Sequence, residues 1–90
     1  MHGVIDSPDQ NRFELEEDSQ VAFANYRRRG SVLVIAHVEA PSALRGTGAA
    51  GRLMAGVLAI VRERGEKIVP TCSYAAAYLR RHEDQHDLLA

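Results

Sequence analysis

Polar and apolar residues first alternate along the chain and then change period. RFELEE, from Arg12 to Glu17, sets Phe13 and Leu15 between polar neighbours, the pattern of a half-buried strand. After a turn at Asp18-Ser19, QVAFANYRR places Val21 and Phe23 on one face and Ala22, Ala24 and Tyr26 on the other, and Arg29-Gly30 reads as a second turn. SVLVIAHV, Ser31 to Val38, is apolar at nearly every position and rich in β-branched residues, which predicts a strand covered on both sides. Past Glu39 the period lengthens. Leu53, Met54, Val57, Leu58 and Val61 recur at helical spacing, and Gly65 ends that helix with Arg62 and Arg64 in its last turn, where cations suit the helix dipole. KIVP, Lys67 to Pro70, is a short fourth strand, and reaching it through a helix predicts that it runs parallel to the third. In SYAAAYLRRH, Ala75, Tyr78 and Leu79 share one face of a last helix, with Thr71 or Ser73 as N-cap. The expected fold class is therefore α+β: a three-stranded antiparallel meander, a helix, a parallel fourth strand and a C-terminal helix. Residues 1–11 are expected as a flexible arm and 12–90 as a single domain.

Length and composition narrow the choice. Ninety residues suffice for one core and are too few for a doubly wound nucleotide-binding fold. At 46% hydrophobic and 26% charged, the chain reads as an ordinary globular protein, neither disordered nor membrane-embedded. MHGVIDSPDQ has none of the regions of a signal peptide, and a lone cysteine, Cys72, suits a reducing compartment, so the expectation is cytoplasmic. A formal net charge of -1 gives no electrostatic footprint for nucleic acid.

The chemistry concentrates around RGTGAAG, Arg45 to Gly51, a literal G-x-G-x-x-G. In a dinucleotide-binding unit the first glycine follows its strand at once, and an acidic residue about 20 positions on holds the ribose. Here seven residues separate Val38 from Gly46, and the acid position falls near Ile68 to Pro70, which are apolar. The underlying physics remains: a glycine turn entering a helix offers free amides and the positive dipole end to a phosphate or pyrophosphate.

Arg45-Gly46-Thr47-Gly48-Ala49-Ala50 also resembles the [Q/R]-x-x-G-x-[G/A] motif of the GNAT superfamily of acetyl-CoA-dependent N-acetyltransferases, and the chain resembles in particular its very small single-domain members. RFEL with the later Tyr26, HVEAP (His37 to Pro41), RGTG with its helix, and KIVPTCSY with YLRRH (Lys67 to His82) carry the likeness in order, from Arg12 to the C-terminus. One departure falls after the His of YLRRH, where Glu83, Asp84 and Gln85 stand in place of an expected proline and aromatic residue. The resemblance implies a minimal GNAT fold, with acetyl-CoA held by the amides of Arg45 to Ala50 and its pantetheine arm lying in a gap beside Val38 and Glu39. Cys72, beside the start of the last helix, would meet the thioester; a helix N-terminus favours a thiolate, so Cys72 either relays the acetyl group or lines the site. His37 is the expected general base and Tyr74 the group that protonates the leaving thiolate.

Plainer roles compete with each assignment. Cys72 and His37 could be packed core residues, Tyr74 and Tyr78 could simply fill the core, and the Arg27-Arg28-Arg29 run reads as a solvated hairpin tip, with attraction of an anionic substrate as the functional alternative. His82 and His86, four apart, could chelate a metal, but HEDQHD reads as a polar tail and no metal is expected. The favoured function is acetyl transfer from acetyl-CoA to a small or peptidyl amine. The alternatives are a coenzyme A-binding module without chemistry and an interaction domain unrelated to coenzyme A. Neither nucleic acid nor membrane is an expected partner, and the expected state is a monomer or weak homodimer.

Overall fold

The computed structural model describes residues 3–90. Five strands, β1 (Val4–Ser7), β2 (Arg12–Glu17), β3 (Gln20–Arg29), β4 (Val32–Glu39) and β5 (Lys67–Pro70), form one sheet in sequence order. Every pairing is antiparallel except β4 with β5, which the helix α1 (Ala49–Glu63) connects in parallel, and α2 (Ser73–Arg81) follows β5. The turn at Asp18 and Ser19 works because both residues take positive φ, 50° and 62°, matching the twist of the flanking strands. Phe13, Leu15, Ala22, Ala24, Tyr26, Leu33, Ile35 and Ile68 form the sheet side of the core, and Leu53, Met54, Val57, Val61, Ala75 and Leu79 close it from α1 and α2.

Four expectations are corrected. The supposed arm holds an edge strand: Val4 is buried opposite Leu15, and the Asp6 carboxylate accepts bonds from the Tyr26 hydroxyl (2.7 Å) and from Arg64 (2.8 Å). Three side-chain anchors replace the long apolar run that would have announced that strand. Met1 and His2 lie outside the described residues.

β4 is covered on one face only. Leu33 and Ile35 are fully buried, while Val32 and Val34 are half-buried on the face away from the helices. The N-cap of α2 is Cys72, not Thr71 or Ser73. Its Sγ accepts the Ala75 amide at 3.3 Å, whereas the Thr71 hydroxyl donates to the Ile35 carbonyl.

The polar tail is a folded 3₁₀ segment, Glu83–Leu88. Leu88 is buried, Arg62 holds Asp87 through two bonds of 2.7 and 3.0 Å, and the Ala90 amide donates to the Ile68 carbonyl at 2.9 Å, which ties the tail to β5.

Candidate active site

β4 and β5 pair only from Val32–Lys67 to Ile35–Pro70. Beyond that point the Ile35 carbonyl takes the amides of Thr71 and Cys72, which turn the chain away from β4 and into α2. β4 continues to Glu39, and no β5 residue stands opposite Val38 or Glu39. A bulge sharpens this divergence. Asn25 pairs with His37 and Tyr26 with Ile35, so Ala36 is the extra residue, and the side chains beyond it exchange faces. Val38 consequently packs against the core opposite Ala24, while His37 turns to the face away from the helices. There its ring lies 6.2 Å from that of Phe23, and Nε2 is 3.0 Å from Glu39 Oε1.

After β4 the chain makes a short 3₁₀ turn, Ser42–Leu44, and enters α1 through the glycines. Gly46 and Gly48 take φ of 80° and 87°, left-handed values that cost little only without a Cβ. Gly48 is the N-cap and brings no side chain to it. The first-turn amides of Ala49, Ala50 and Gly51 therefore have no carbonyl four residues back within the helix and face outward at the positive dipole end.

Thr47 braces the loop, its hydroxyl and amide both donating to the Leu44 carbonyl. Arg52 braces it from the helix: Nη1 donates to the Thr47 carbonyl at 3.0 Å, while Nε and Nη2 grip the Glu17 carboxylate at 2.8 and 2.7 Å. The hydrogen bond to Arg52 holds the Glu17 carboxyl below its ordinary range.

Two adjoining clefts open on this helix start. One, of about 270 Å³, is lined by Arg45, Gly46, Gly48, Ala49, Ala50 and Tyr74 among others. The second, of about 470 Å³, shares Gly48, Gly51 and Tyr74 with the first and runs between α1 and α2 past Arg52, Tyr78 and Arg81. Tyr74 is partly exposed, and its hydroxyl stands over Gly51, 3.9 Å from where a Cβ on that residue would lie, an ordinary contact distance.

Tyr78 stacks on His82 with ring centroids 3.8 Å apart, and burial first, with Tyr74 and Asp84 after it, pushes its phenol pKa up. His82 Nδ1 and His86 Nε2 contact the carbonyls of Tyr78 and Leu79 at 2.7 and 2.6 Å. A carbonyl only accepts, so both nitrogens carry hydrogen and cap the end of α2. Among the described residues no group of three His, Cys, Asp or Glu side chains is placed to hold a metal.

The loop residues and Tyr74 thus share one cleft, and the open edge of Val38 and Glu39 faces the gap. Cys72 sits at the hinge between β5 and α2, half-buried against the core, and His37 lies on the opposite sheet face. No hydrogen bond links Cys72, His37 and Tyr74 among the described residues. Sequence reasoning passed over Arg52 and Arg81 in the cleft, although Gly48 and Arg52 carry the four-residue spacing that shares a helix face. It also passed over Gln10, Asn11 and Asn25 on the far face.

Residues 12–88 match the family model of the GCN5-related N-acetyltransferases, and the chain belongs to that family. Acetyl transfer is its class of activity, and it is a small acetyltransferase by family. Among solved structures it is similar to the NMR solution structure of a GCN5-like protein from Staphylococcus aureus, at 24% identity and a TM-score of 0.74, over 97% of this chain and 86% of that one. That likeness establishes the fold. No curated protein matches the chain. No helix among the described residues is long and apolar enough to cross a membrane.

Proposed function

We propose that the protein transfers the acetyl group of acetyl-CoA directly to an amine acceptor. The observation that carries this reading is the parting of β4 from β5 at Ile35–Pro70 beside a glycine-capped helix start. The residues fit a coenzyme A pyrophosphate. The amides of Gly48 to Gly51 would receive its oxygens at the positive end of α1, and Arg45 stands in the same cleft, its guanidinium reaching among the described residues only the Ala40 carbonyl at 3.4 Å. The unpaired edge of Val38 and Glu39 would hold the amide groups of the pantetheine arm. Bound there, acetyl-CoA supplies an activated acetyl thioester.

His37 is the base that takes the proton of the incoming amine, oriented by its contact with Glu39. Tyr74 lines the cleft, its hydroxyl without a hydrogen-bond partner among the described residues, and returns a proton to the departing sulfur. Cys72 favours direct transfer over relay. Its Sγ is occupied as the cap of α2, and among the described residues no base touches it, whereas a cysteine nucleophile needs one within hydrogen-bond reach. A reducing compartment such as the cytoplasm would keep that thiol free.

The test is thiol release from acetyl-CoA across a broad amine panel, with wild type, His37→Ala and Cys72→Ala. Direct transfer predicts acceptor-dependent release that His37→Ala lowers and Cys72→Ala largely spares. Binding that survives in all three proteins with no acceptor raising release above background would leave a coenzyme A-binding module instead.

A further inference from the structure

On the sheet face away from the helices, the bulge at Ala36–His37 forms one end of a concavity of about 590 Å³, bounded by the turn at Gln10–Asn11 and floored by Asn25 and Arg27. Its size suits a small ligand. It meets β4 where that strand leaves β5, so a molecule seated in it reaches the gap from the side opposite the cleft. Resting on the acetyl-transfer reading above, we infer that this concavity is the acceptor site and that the acceptor is a small amine that also carries a carboxylate.

The charge inventory selects that class. Each guanidinium around the concavity except one is committed: Arg28 to Glu66, and Arg12, 4.6 Å above the Phe23 ring, to Glu14 at 2.7 Å. Among the described residues Arg27 has no hydrogen-bond or ion-pair partner, and neither do the side-chain amides of Gln10, Asn11 and Asn25. No carboxylate lines the space, and the nearest along β4, that of Glu39, is engaged by His37. One unpaired guanidinium with neutral amides beside it matches a single carboxylate, which it can take through two parallel bonds. A polyamine or a lysine-rich peptide would meet Arg27 with no acid to offset it, and a phosphate dianion would bring a second charge to a concavity lined by a single unpaired guanidinium. His37, on the same wall, stands where the amine of such a molecule would give up its proton.

The experiment pairs the twenty standard amino acids with their carboxamides, and adds spermidine and a lysine-rich peptide. Each compound is assayed as acceptor with saturating acetyl-CoA and, separately, titrated into ¹⁵N-labelled protein while the side-chain amide signals of Asn11 and Asn25 are followed. The inference predicts a KM roughly tenfold lower for the best acid than for its carboxamide, the worth of one charge-assisted contact. Arg27→Gln should erase that ratio while leaving kcat in place, Arg27→Lys should restore part of it, and Arg29→Gln, at the hairpin tip, should leave it intact. Equal or better use of carboxamides or polyamines, or an unchanged ratio in Arg27→Gln, overturns the acceptor assignment and leaves acetyl transfer standing. If no compound is acetylated, the acetyl-transfer reading fails. The titration then decides the site alone: shifts at Asn11 and Asn25 with acids and not with carboxamides uphold it, and no shifts dismiss it.

Discussion

Replacing Gly48 with alanine tests the loop at its most constrained point. The residue sits at φ +87°, and an added Cβ would stand 3.0 Å from Arg52 Nη1. Holding a side chain in the left-handed region costs about 1–2 kcal/mol. The Arg52 guanidinium is the far end of a flexible chain and can swing away, at the expense of its contacts with Glu17 and Thr47, a solvent-screened pair whose loss adds little. The expected loss is therefore at least the backbone cost of about 1–2 kcal/mol, which for a domain of this size lowers Tm by roughly 4–16 °C in a thermal melt.

Gly46→Ala is the internal control. Its φ is +80° with nothing near the added atom, so it bears the backbone term alone. The excess of Gly48→Ala over Gly46→Ala should vanish in an Arg52→Ala background, a double-mutant comparison. It should also shrink in acid. Arg52 depresses the Glu17 pKa, so the pair stabilises the fold at pH above the ordinary carboxylate value of 4.5 and ceases to do so as pH falls through the lowered folded value. A Gly48→Ala protein as stable as wild type, or an excess that persists without Arg52, would refute this account of the loop.

Three further outcomes are expected. Burial first, then the bond to Asp6, pushes the Tyr26 phenol up to about 12, so its contribution to stability is complete below its ordinary 10.0 and lost as pH rises through the folded value. A tyrosinate absorbance titration should show a late step that Tyr26→Phe removes, and joint ionisation of all the tyrosines near the ordinary value would contradict it. Leu88→Ala should cost about 2–5 kcal/mol in urea unfolding and speed hydrogen exchange at the Ala90 amide; wild-type exchange there would mean that the tail is not held by its buried leucine. Cys72→Ser should keep the α2 cap and acetyl transfer, while Cys72→Ala loses about 0.5–2 kcal/mol of stability. Abolished transfer in the serine variant at full acetyl-CoA binding would restore the relay.

What the sequence made legible was whatever periodicity or backbone chemistry writes locally. β2 and β3 announced themselves by alternation, α1 by its apolar spacing, and the loop before α1 by glycines that need positive φ. β1 escaped because its hold is distant: Asp6 earns its place through Tyr26 and Arg64, 20 and 58 positions away. The tail escaped for a similar reason, since only Leu88 of the 3₁₀ segment is buried and its polar neighbours bond to Arg62 on another element.

The position of His37 was misleading in a different way. Simple alternation from Leu33 and Ile35 puts it on the helix side, and the bulge at Ala36, visible only once β3 is paired, sends it to the other. The far-face concavity was illegible because Gln10, Asn11, Asn25 and Arg27 come from separate segments: the three amides look like ordinary surface, and the arginine run hints at an anion without showing what stands beside it.

The central claim is that the amides opening α1 and the free edge of β4 hold acetyl-CoA. The direct test is a titration of ¹⁵N-labelled protein with acetyl-CoA, read at each backbone amide. The account predicts saturable shifts concentrated on Gly46 to Gly51 and on Val38 and Glu39, which weaken markedly in Gly48→Glu, where bulk and negative charge enter the cradle. Absence of shifts at those amides at millimolar acetyl-CoA, or binding unchanged in Gly48→Glu, would contradict it.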